Sequence, residues 1–99
     1  MNWAYLAGFL DGEGCFKIYR GYPRITVGQN SREVLDQIKE FLGIENAITW
    51  SEPSKCFYLQ IQKKDTVISI LNNIMPYLIV KKAEAQLILD HWDADRRLV

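Results

Sequence analysis

Residues 6–14 of the chain read LAGFLDGEG, a segment referred to below as the motif, and place Gly8 and Gly12 four residues apart. Large apolar residues recur here at helical spacing, so the pattern predicts a helix over residues 3–12. Because residues i and i+4 share one face of a helix, the two glycines extend a stripe of small side chains that begins at Ala4. Glycine inside a helix costs about 1 kcal/mol relative to alanine, so this stripe favours close contact with a second backbone. Alternatively, Gly12 ends the helix and Gly8 packs against a sheet.

Glu13 follows at the C-terminal end of this helix, where the macrodipole disfavours a negative charge by up to about 1 kcal/mol. If the helix pairs with its own copy across a twofold axis, two Glu13 carboxylates converge, and a divalent cation would relieve their repulsion. Mg²⁺ prefers such a shell of carboxylate, carbonyl, water and phosphate oxygens. The motif therefore fits a metal site that polarises a phosphodiester and activates a water molecule.

Beyond the motif, the sequence switches between strand and helix periodicity. Four segments alternate apolar and polar side chains and are predicted to be strands: residues 15–20, 24–27, 47–51 and 56–62. They form two predicted hairpins, with turns at residues 21–23 and 52–55. Three further helices are predicted: one capped by Asn30 or Ser31 that runs through Leu42 to Gly43, one capped by Asp65 or Thr66 that ends near Pro76, and one over residues 82–97.

This order of elements predicts an α+β fold of the type αββαββα, with an extra terminal helix. Each predicted strand has only one apolar side, so we expect one antiparallel four-stranded sheet with helices on a single face. The other face of the sheet is then left to meet a polar partner or solvent.

Length and composition support one compact domain over residues 1–99. The chain is 48% hydrophobic and 24% charged, which excludes a disordered segment. Its apolar runs are shorter than the roughly 18 to 20 residues of a membrane helix, and its start lacks the basic region of a signal peptide. We therefore expect a protein of the cytoplasm or an organellar matrix, with no membrane partner. Cys15 and Cys56 lack metal-ligand spacing and are expected to be reduced thiols.

The formal net charge is zero, but the charges are unevenly distributed. The segments 13–29 and 47–64 hold six basic and two acidic residues, so the sheet is expected to be basic and the helical layer acidic. Such a sheet is similar to a β-ribbon that reads the major groove of DNA. The alternative is an ordinary solvated sheet face. The candidate DNA-contacting residues are Lys17, Tyr19, Arg20, Arg24, Thr26, Lys55, Tyr58, Gln60, Gln62 and Lys63.

The motif LAGFLDGEG resembles the signature of the LAGLIDADG homing endonucleases. Gln29, the ββαββ order and the stretch PYLIVKK at residues 76–82 also match features of that family. The resemblance implies a saddle-shaped sheet lying on double-stranded DNA, with the motif helices forming the interface of a homodimer. It also implies cleavage at a palindromic or nearly palindromic site, because the chain holds a single motif.

The resemblance assigns roles to individual residues. It implies that Glu13 holds the metal ion with the Gly12 carbonyl beside it, and that Lys81 lies near the scissile phosphate. Gln29 corresponds to a residue that orders the attacking water, and Arg32 to a supporting basic residue. Without the resemblance, Lys81 reads as a solvated lysine at a helix end.

The resemblance also implies an interface between two copies of the motif helix. The expected interface residues are Ala4, Gly8, Asp11 and Gly12, with Asp11 structural near the base of the paired helices. The expected protein is an intron-encoded, site-specific DNA endonuclease that uses Mg²⁺, for which Ca²⁺ or Mn²⁺ can substitute. The alternatives are a non-catalytic relative that binds DNA or RNA as a splicing maturase or regulator, and a plain structural dimer.

Overall fold

The computed structural model describes the backbone of residues 1–97 and the side chains of residues 1–92. Its elements, in chain order, are α1 (Trp3–Glu13), β1 (Gly14–Tyr19), β2 (Tyr22–Gln29), α2 (Arg32–Leu42), β3 (Ile48–Ser51), β4 (Cys56–Ile61), α3 (Lys64–Ile74) and α4 (Lys82–Arg97). A short 3₁₀ helix at Met75–Tyr77 leads out of α3. The expected αββαββα order with a terminal helix is confirmed. The last two residues of the predicted 1–99 domain lie outside the described residues.

The strands of the described chain form one antiparallel sheet in the order β1-β2-β4-β3. The two hairpins therefore meet through β2 and β4, which occupy the centre of the sheet. Alternate side chains of each central strand, such as Ile25, Val27 and Leu59, are fully buried against the helices. The predicted open sheet with helices on one face is confirmed, and the face turned away from the helices is called the open face below.

Helix α1 buries one side and exposes the other. Leu6, Ala7 and Leu10 are buried in the core, whereas Gly8 and Gly12 are exposed. A Cβ atom added at either glycine would meet nothing within 4 Å. Gly8 does not pack against the sheet, so that part of the alternative interpretation is wrong. Gly12 lies in the last turn of α1, which ends at Glu13.

The first hairpin turn differs from the predicted one at residues 21–23. The turn consists of Arg20 and Gly21, with φ values of 51° and 83°, and Tyr19 pairs with Tyr22 across it. Two-residue turns with positive φ at both positions match the twist of antiparallel strands, which explains why the chain reverses here. Pro23 therefore lies inside β2.

The predicted helix boundaries are partly correct. Gly43 ends α2 in the left-handed conformation, as predicted. Ser31 precedes α2, but its side chain makes no capping hydrogen bond. The third helix begins at Lys64, so Asp65 is in its first turn and is not its cap. A carboxylate there is favoured by the helix dipole, which explains the position of this residue.

The cysteines and the length of the helices can also be compared with the sequence. Cys15 and Cys56 are both free thiols in the structure. None of the helices in residues 1–97 combines the length and the hydrophobicity needed to cross a bilayer.

Candidate functional site

Asp11 is buried at the C-terminal end of α1, where it binds the segment that leads into α4. Its carboxylate accepts hydrogen bonds from the backbone N–H groups of Ile79 (2.9 Å), Val80 (2.9 Å) and Lys81 (2.7 Å). The bond from Lys81 is the largest cause of the lowered pKa of Asp11, and burial acts in the opposite direction. The carboxylate thus satisfies three consecutive N–H groups of the segment that immediately precedes α4. This contact ties α1 to α4 within one chain.

Lys81 makes a second contact with the same residue. Its Nζ donates a hydrogen bond to the backbone carbonyl of Asp11 at 2.6 Å, and its own carbonyl accepts from the N–H of Ala85. The ammonium therefore lies against the C-terminal turn of α1, where the helix dipole favours a cation. The alternative of a freely solvated helix-end lysine is wrong, because this side chain is half-buried and hydrogen-bonded.

Gly12 and Glu13 are the last two residues of α1 and are both exposed. Among the described side chains, nothing forms an ion pair or hydrogen bond with the Glu13 carboxylate. Helical geometry separates it from Asp11, since residues two apart lie about 200° apart around the axis. One acid of the motif therefore points into the chain and the other is free to bind a cation.

The oxygens at this helix end fit a hard cation. The Glu13 carboxylate and the C-terminal carbonyls of α1 are the ligand types that Mg²⁺ and Ca²⁺ prefer. Within the described part of the chain, no group of three or more His, Cys, Asp or Glu residues is placed to hold a metal. The Glu13 carboxylate and these carbonyls leave coordination positions that oxygens of a second copy, of phosphate or of water can fill.

Gln29 and Arg32 lie on either side of the connection between β2 and α2. Gln29 pairs with Phe57 in the sheet, and its Oε1 accepts the N–H of Asn30 at 2.9 Å. The guanidinium of Arg32 lies 6.0 Å from the centre of the Phe57 ring and forms an exposed ion pair with Asp36. Both candidates thus have Phe57 as a neighbour, Gln29 through strand pairing and Arg32 through its guanidinium.

Sheet register relates Gln29 to the motif. Gly14, which follows Glu13, pairs with Val27 on β2, two residues before Gln29. The end of β2 and the end of α1 are therefore at the same end of the sheet. The structure brings Lys81 into contact with the motif. Gln29, and Arg32 shortly after it, follow the strand end that pairs beside the motif, but among the described residues neither forms a hydrogen bond or ion pair with it.

Most of the candidate DNA-contacting residues share the open face. Strand alternation and the pairs Lys17–Arg24 and Thr26–Gln60 place them there. The members of this face are Lys17, Tyr19, Arg24, Thr26, Tyr58 and Gln60, and Gln62 continues the same alternation beyond β4. Gln60 Nε2 lies 3.4 Å from Thr26 Oγ1, to which it donates a hydrogen bond.

The other three candidates lie at the rim of this face. Arg20 and Lys55 occupy the two hairpin turns, and both have positive φ. Lys55 donates a hydrogen bond to Glu52, which also lowers the pKa of that carboxyl. Lys63 immediately precedes α3. These three cations therefore lie at the ends of strands, at the edge of the open face.

Gly28 is a residue of this face that sequence reasoning missed. A Cβ atom at Gly28 would lie 2.6 Å from Cε1 of Tyr58, its cross-strand partner, so the ring lies directly over the glycine. A glycine inside a strand is a known sign of close approach by another group, but the predicted strand ended at residue 27, so Gly28 lay outside it. Gly28 therefore sets the position of the Tyr58 ring.

Comparison with known proteins gives a consistent result. The family model of the LAGLIDADG-like domain matches residues 1–75. A probable intron-encoded endonuclease, aI3 of Dictyostelium citrinum, is 33% identical over 75 residues, which are 74% of this chain. The chain spans 30% of the length of that relative.

Solved structures also resemble this chain. The archaeal intron-encoded homing endonuclease I-Vdi141I, complexed with DNA, is 27% identical with a TM-score of 0.73 over 89% of this chain and 64% of its own. I-CvuI, bound to an uncleaved DNA target in the presence of Mg, is 25% identical with a TM-score of 0.73 over 89% and 63%. I-AabMI, bound to uncleaved DNA, is 25% identical with a TM-score of 0.77 over 97% and 38%. DNA is present in each of these three structures.

Proposed function

The chain belongs to the LAGLIDADG family, and from this premise we propose that it is a site-specific DNA endonuclease that acts as a homodimer with a divalent metal ion. One observation carries the proposal. The free carboxylate of Glu13 and the ammonium of Lys81 are held at the same end of α1, on a chain whose sheet presents a polar and basic open face. Similarity to endonucleases whose structures contain bound DNA supports DNA as the substrate.

Glu13 and the Gly12 carbonyl are the groups that would hold Mg²⁺, or Ca²⁺ or Mn²⁺ in its place. In such a site, a bound ion supplies activation of water and stabilisation of the leaving oxygen. The exposed position of Glu13 supports this role, because its charge is not neutralised within the described residues.

The remaining roles belong to side chains around the helix end. Lys81 stabilises the negative charge that develops on the phosphate, and Asp11 keeps it in place through the two contacts described above. Gln29 orients the attacking water through its amide. Arg32 adds positive charge at the start of α2.

The surface that the motif helix exposes supports the homodimer. In such a homodimer each copy would cut one strand, and the target would be palindromic or nearly so. The small-residue stripe of Ala4, Gly8 and Gly12 is exposed, which supports contact between two α1 helices. Asp11, the fourth expected interface residue, is buried, and its carboxylate contacts its own chain.

Cleavage of a randomised double-stranded DNA library with Mg²⁺ tests the proposal. We expect cuts at one recurrent site with twofold symmetry, and none in the presence of a chelator. A protein that binds the library selectively but leaves it intact would instead be a non-catalytic relative.

Glu13→Gln tests the metal assignment, because it keeps the shape of the side chain and removes its charge. We expect cleavage to vanish while binding of the selected site survives in a gel shift. Glu40→Gln, at an exposed position of α2, is the matched control and should cut normally. Undiminished cleavage by Glu13→Gln would show that the metal ion is held elsewhere.

A further inference from the structure

Ile79 and Val80, called the aliphatic pair below, are the two most exposed large apolar residues among the described side chains. Ile79 is 85% exposed and Val80 is 72% exposed, and they lie in the segment between the 3₁₀ helix and α4. Single apolar residues are ordinary on a protein surface, but two adjacent ones form a patch. Because most of their apolar area faces water, a partner that covered them would gain most of the stabilisation that burial of such side chains gives.

The backbone of the aliphatic pair is fixed, although its side chains are exposed. The carboxylate of Asp11 accepts hydrogen bonds from the N–H groups of Ile79 and Val80, each at 2.9 Å. The ammonium of Lys81 holds the same segment to the backbone carbonyl of Asp11. A flexible loop loses conformational entropy when a partner orders it, whereas this segment is ordered beforehand. The structure thus presents the pair in a conformation that costs a partner little.

Helical geometry places the aliphatic pair beside the small-residue stripe of α1. Gly8 is the middle of that stripe, and Asp11, three residues later, lies about 60° from it around the helix axis. Tyr5, three residues before Gly8, lies about 60° away on the opposite flank. Tyr5 is 55% exposed. The exposed surface of α1 is therefore a shallow valley of small residues, with Tyr5 on one flank and the pair bound to Asp11 on the other.

The stripe alone is too small to hold two copies together. A stable interface buries about 800 Å² on each partner and involves roughly 20 to 30 residues a side. Within α1 five residues are exposed, and two of them are glycines: Ala4, Tyr5, Gly8, Gly12 and Glu13. A dimer that joins two α1 helices therefore needs further apolar surface next to the stripe. The aliphatic pair supplies such surface at the C-terminal end of α1.

A second copy fits this surface better than DNA does. The side chains of Ile79 and Val80 carry no charge and no hydrogen-bond donor, which are the groups that bind phosphates and most base edges. A twofold axis brings the same surface of both copies together. Each copy would then offer a valley to the α1 helix of the other and an aliphatic pair that packs against its flank.

We propose that Ile79 and Val80 anchor the homodimer by packing against the α1 helix of the partner copy. This inference rests on the homodimer of the proposed function and adds a second patch to its interface. It also gives Asp11 two tasks, because the carboxylate that holds the Lys81 backbone also presents the aliphatic pair to the partner. Assembly and the placement of Lys81 then depend on one buried acid.

The test compares the dimer dissociation constants of variants by sedimentation equilibrium, on the protein alone or, if the wild type dimerises only on DNA, on its selected target. Ile79→Ser and Val80→Ser retain the backbone N–H groups that bind Asp11, so both should fold. Each change occurs twice in the dimer, and we expect each to raise the dissociation constant by about 30-fold or more. Val80→Ile, which retains an apolar side chain, should remain dimeric.

Tyr22→Ser is the matched control. Tyr22 is 64% exposed at the turn of the first hairpin, at the other end of the sheet from the motif. This variant removes an exposed apolar side chain elsewhere and should dimerise as the wild type does. Circular dichroism of each variant checks that the fold is retained.

Methyl NMR spectra of the unaltered protein give an independent measurement. The signals of Ile79 and Val80 should shift as dilution converts dimer into monomer, because the partner copy no longer covers these side chains. Signals of both residues that stay unchanged over the same dilution would overturn the inference without any substitution.

The failure of the inference and the failure of the proposed function give different results. A dimer that Gly8→Leu dissociates but both serine variants leave intact would overturn the inference alone. Serine variants that stay dimeric and bind DNA more weakly would show that the pair contacts DNA instead. A wild-type protein that stays monomeric both alone and on its DNA target would contradict the homodimer and the inference together.

Discussion

Asp11 and Glu13 are the two acids of the motif, and the structure gives them opposite surroundings. Asp11 is 8% exposed and binds three backbone N–H groups, whereas Glu13 is exposed with no such partner among the described residues. The family resemblance implies a structural Asp11, but not the groups that it contacts. Its partners lie 68 to 70 residues away, a distance at which hydrophobic periodicity carries no information.

The lowered pKa of Asp11 predicts a specific dependence of stability on pH. Its folded-state pKa lies below the ordinary value of 3.8 because Lys81, Val80 and Ile79 donate to the ionised form. A depressed pKa stabilises the fold above the unfolded-state value, and this contribution is lost as pH falls through the folded-state value. We expect Asp11→Asn to be less stable than the wild type at pH 7, and to lose less stability than the wild type as the pH falls from about 5 to about 2. Urea denaturation repeated at each pH measures both differences. Asp36→Asn, at an exposed position, serves as the control.

Lys81 and Lys82 are neighbours with different surroundings, which makes them a matched pair. Lys81 is half-buried against Asp11, and Lys82 is exposed at the start of α4. We expect Lys81→Ala to slow cleavage by about 10² to 10³, the effect of removing one electrostatic stabiliser, with little change in binding of the target. Single-turnover cleavage beside a gel shift measures both. Equal effects of Lys81→Ala and Lys82→Ala would argue against a specific role.

At the scale of elements, Gly28 on β2 and Tyr58 on β4 form a cross-strand pair. We therefore expect substitutions at these two positions to have coupled effects on DNA affinity. Gly28→Ala would place its Cβ 2.6 Å from Tyr58, so the ring must swing away. Because the ring is on the open face, we expect weaker DNA binding with a stability change within about 1 kcal/mol. Tyr58→Ala should weaken binding similarly, and the double variant should add little to either. Fully additive losses of affinity in this double-mutant cycle would contradict the coupling.

The elements themselves were largely predictable, because each has the apolar period of its structure. The predicted four strands and the first helix agree with β1 to β4 and α1 to within a few residues. The first turn was misplaced because Gly21 and Pro23 both mark turns, and only the pairing of Tyr19 with Tyr22 decides between them. That pairing depends on the whole sheet, which a local pattern does not contain.

At the scale of the whole molecule, a net charge of zero is compatible with a basic DNA-binding face. The segment count that predicted this face included Glu13 and Lys64, which the structure assigns to helices. Of the predicted cations, Lys17 and Arg24 remain on the open face, and others lie at its rim. Attraction to DNA is therefore expected to be local to this face, since contacts with phosphate and base act at short range in physiological salt.

The exposed stripe on α1 gives the prediction that tests the assembly. In the single chain Gly8 is exposed and a Cβ there meets nothing within 4 Å, so we expect Gly8→Leu to fold, with helix propensity raised by about 0.8 kcal/mol. In a dimer that joins two α1 helices, the same side chain would separate the backbones. We expect light scattering to show a folded monomer, with thermal unfolding that no longer depends on protein concentration as it does for a dimer. Gln37→Leu, at an exposed position of α2, adds the same side chain elsewhere and should leave the dimer intact. A Gly8→Leu protein that stays dimeric would place the contact between copies on another surface.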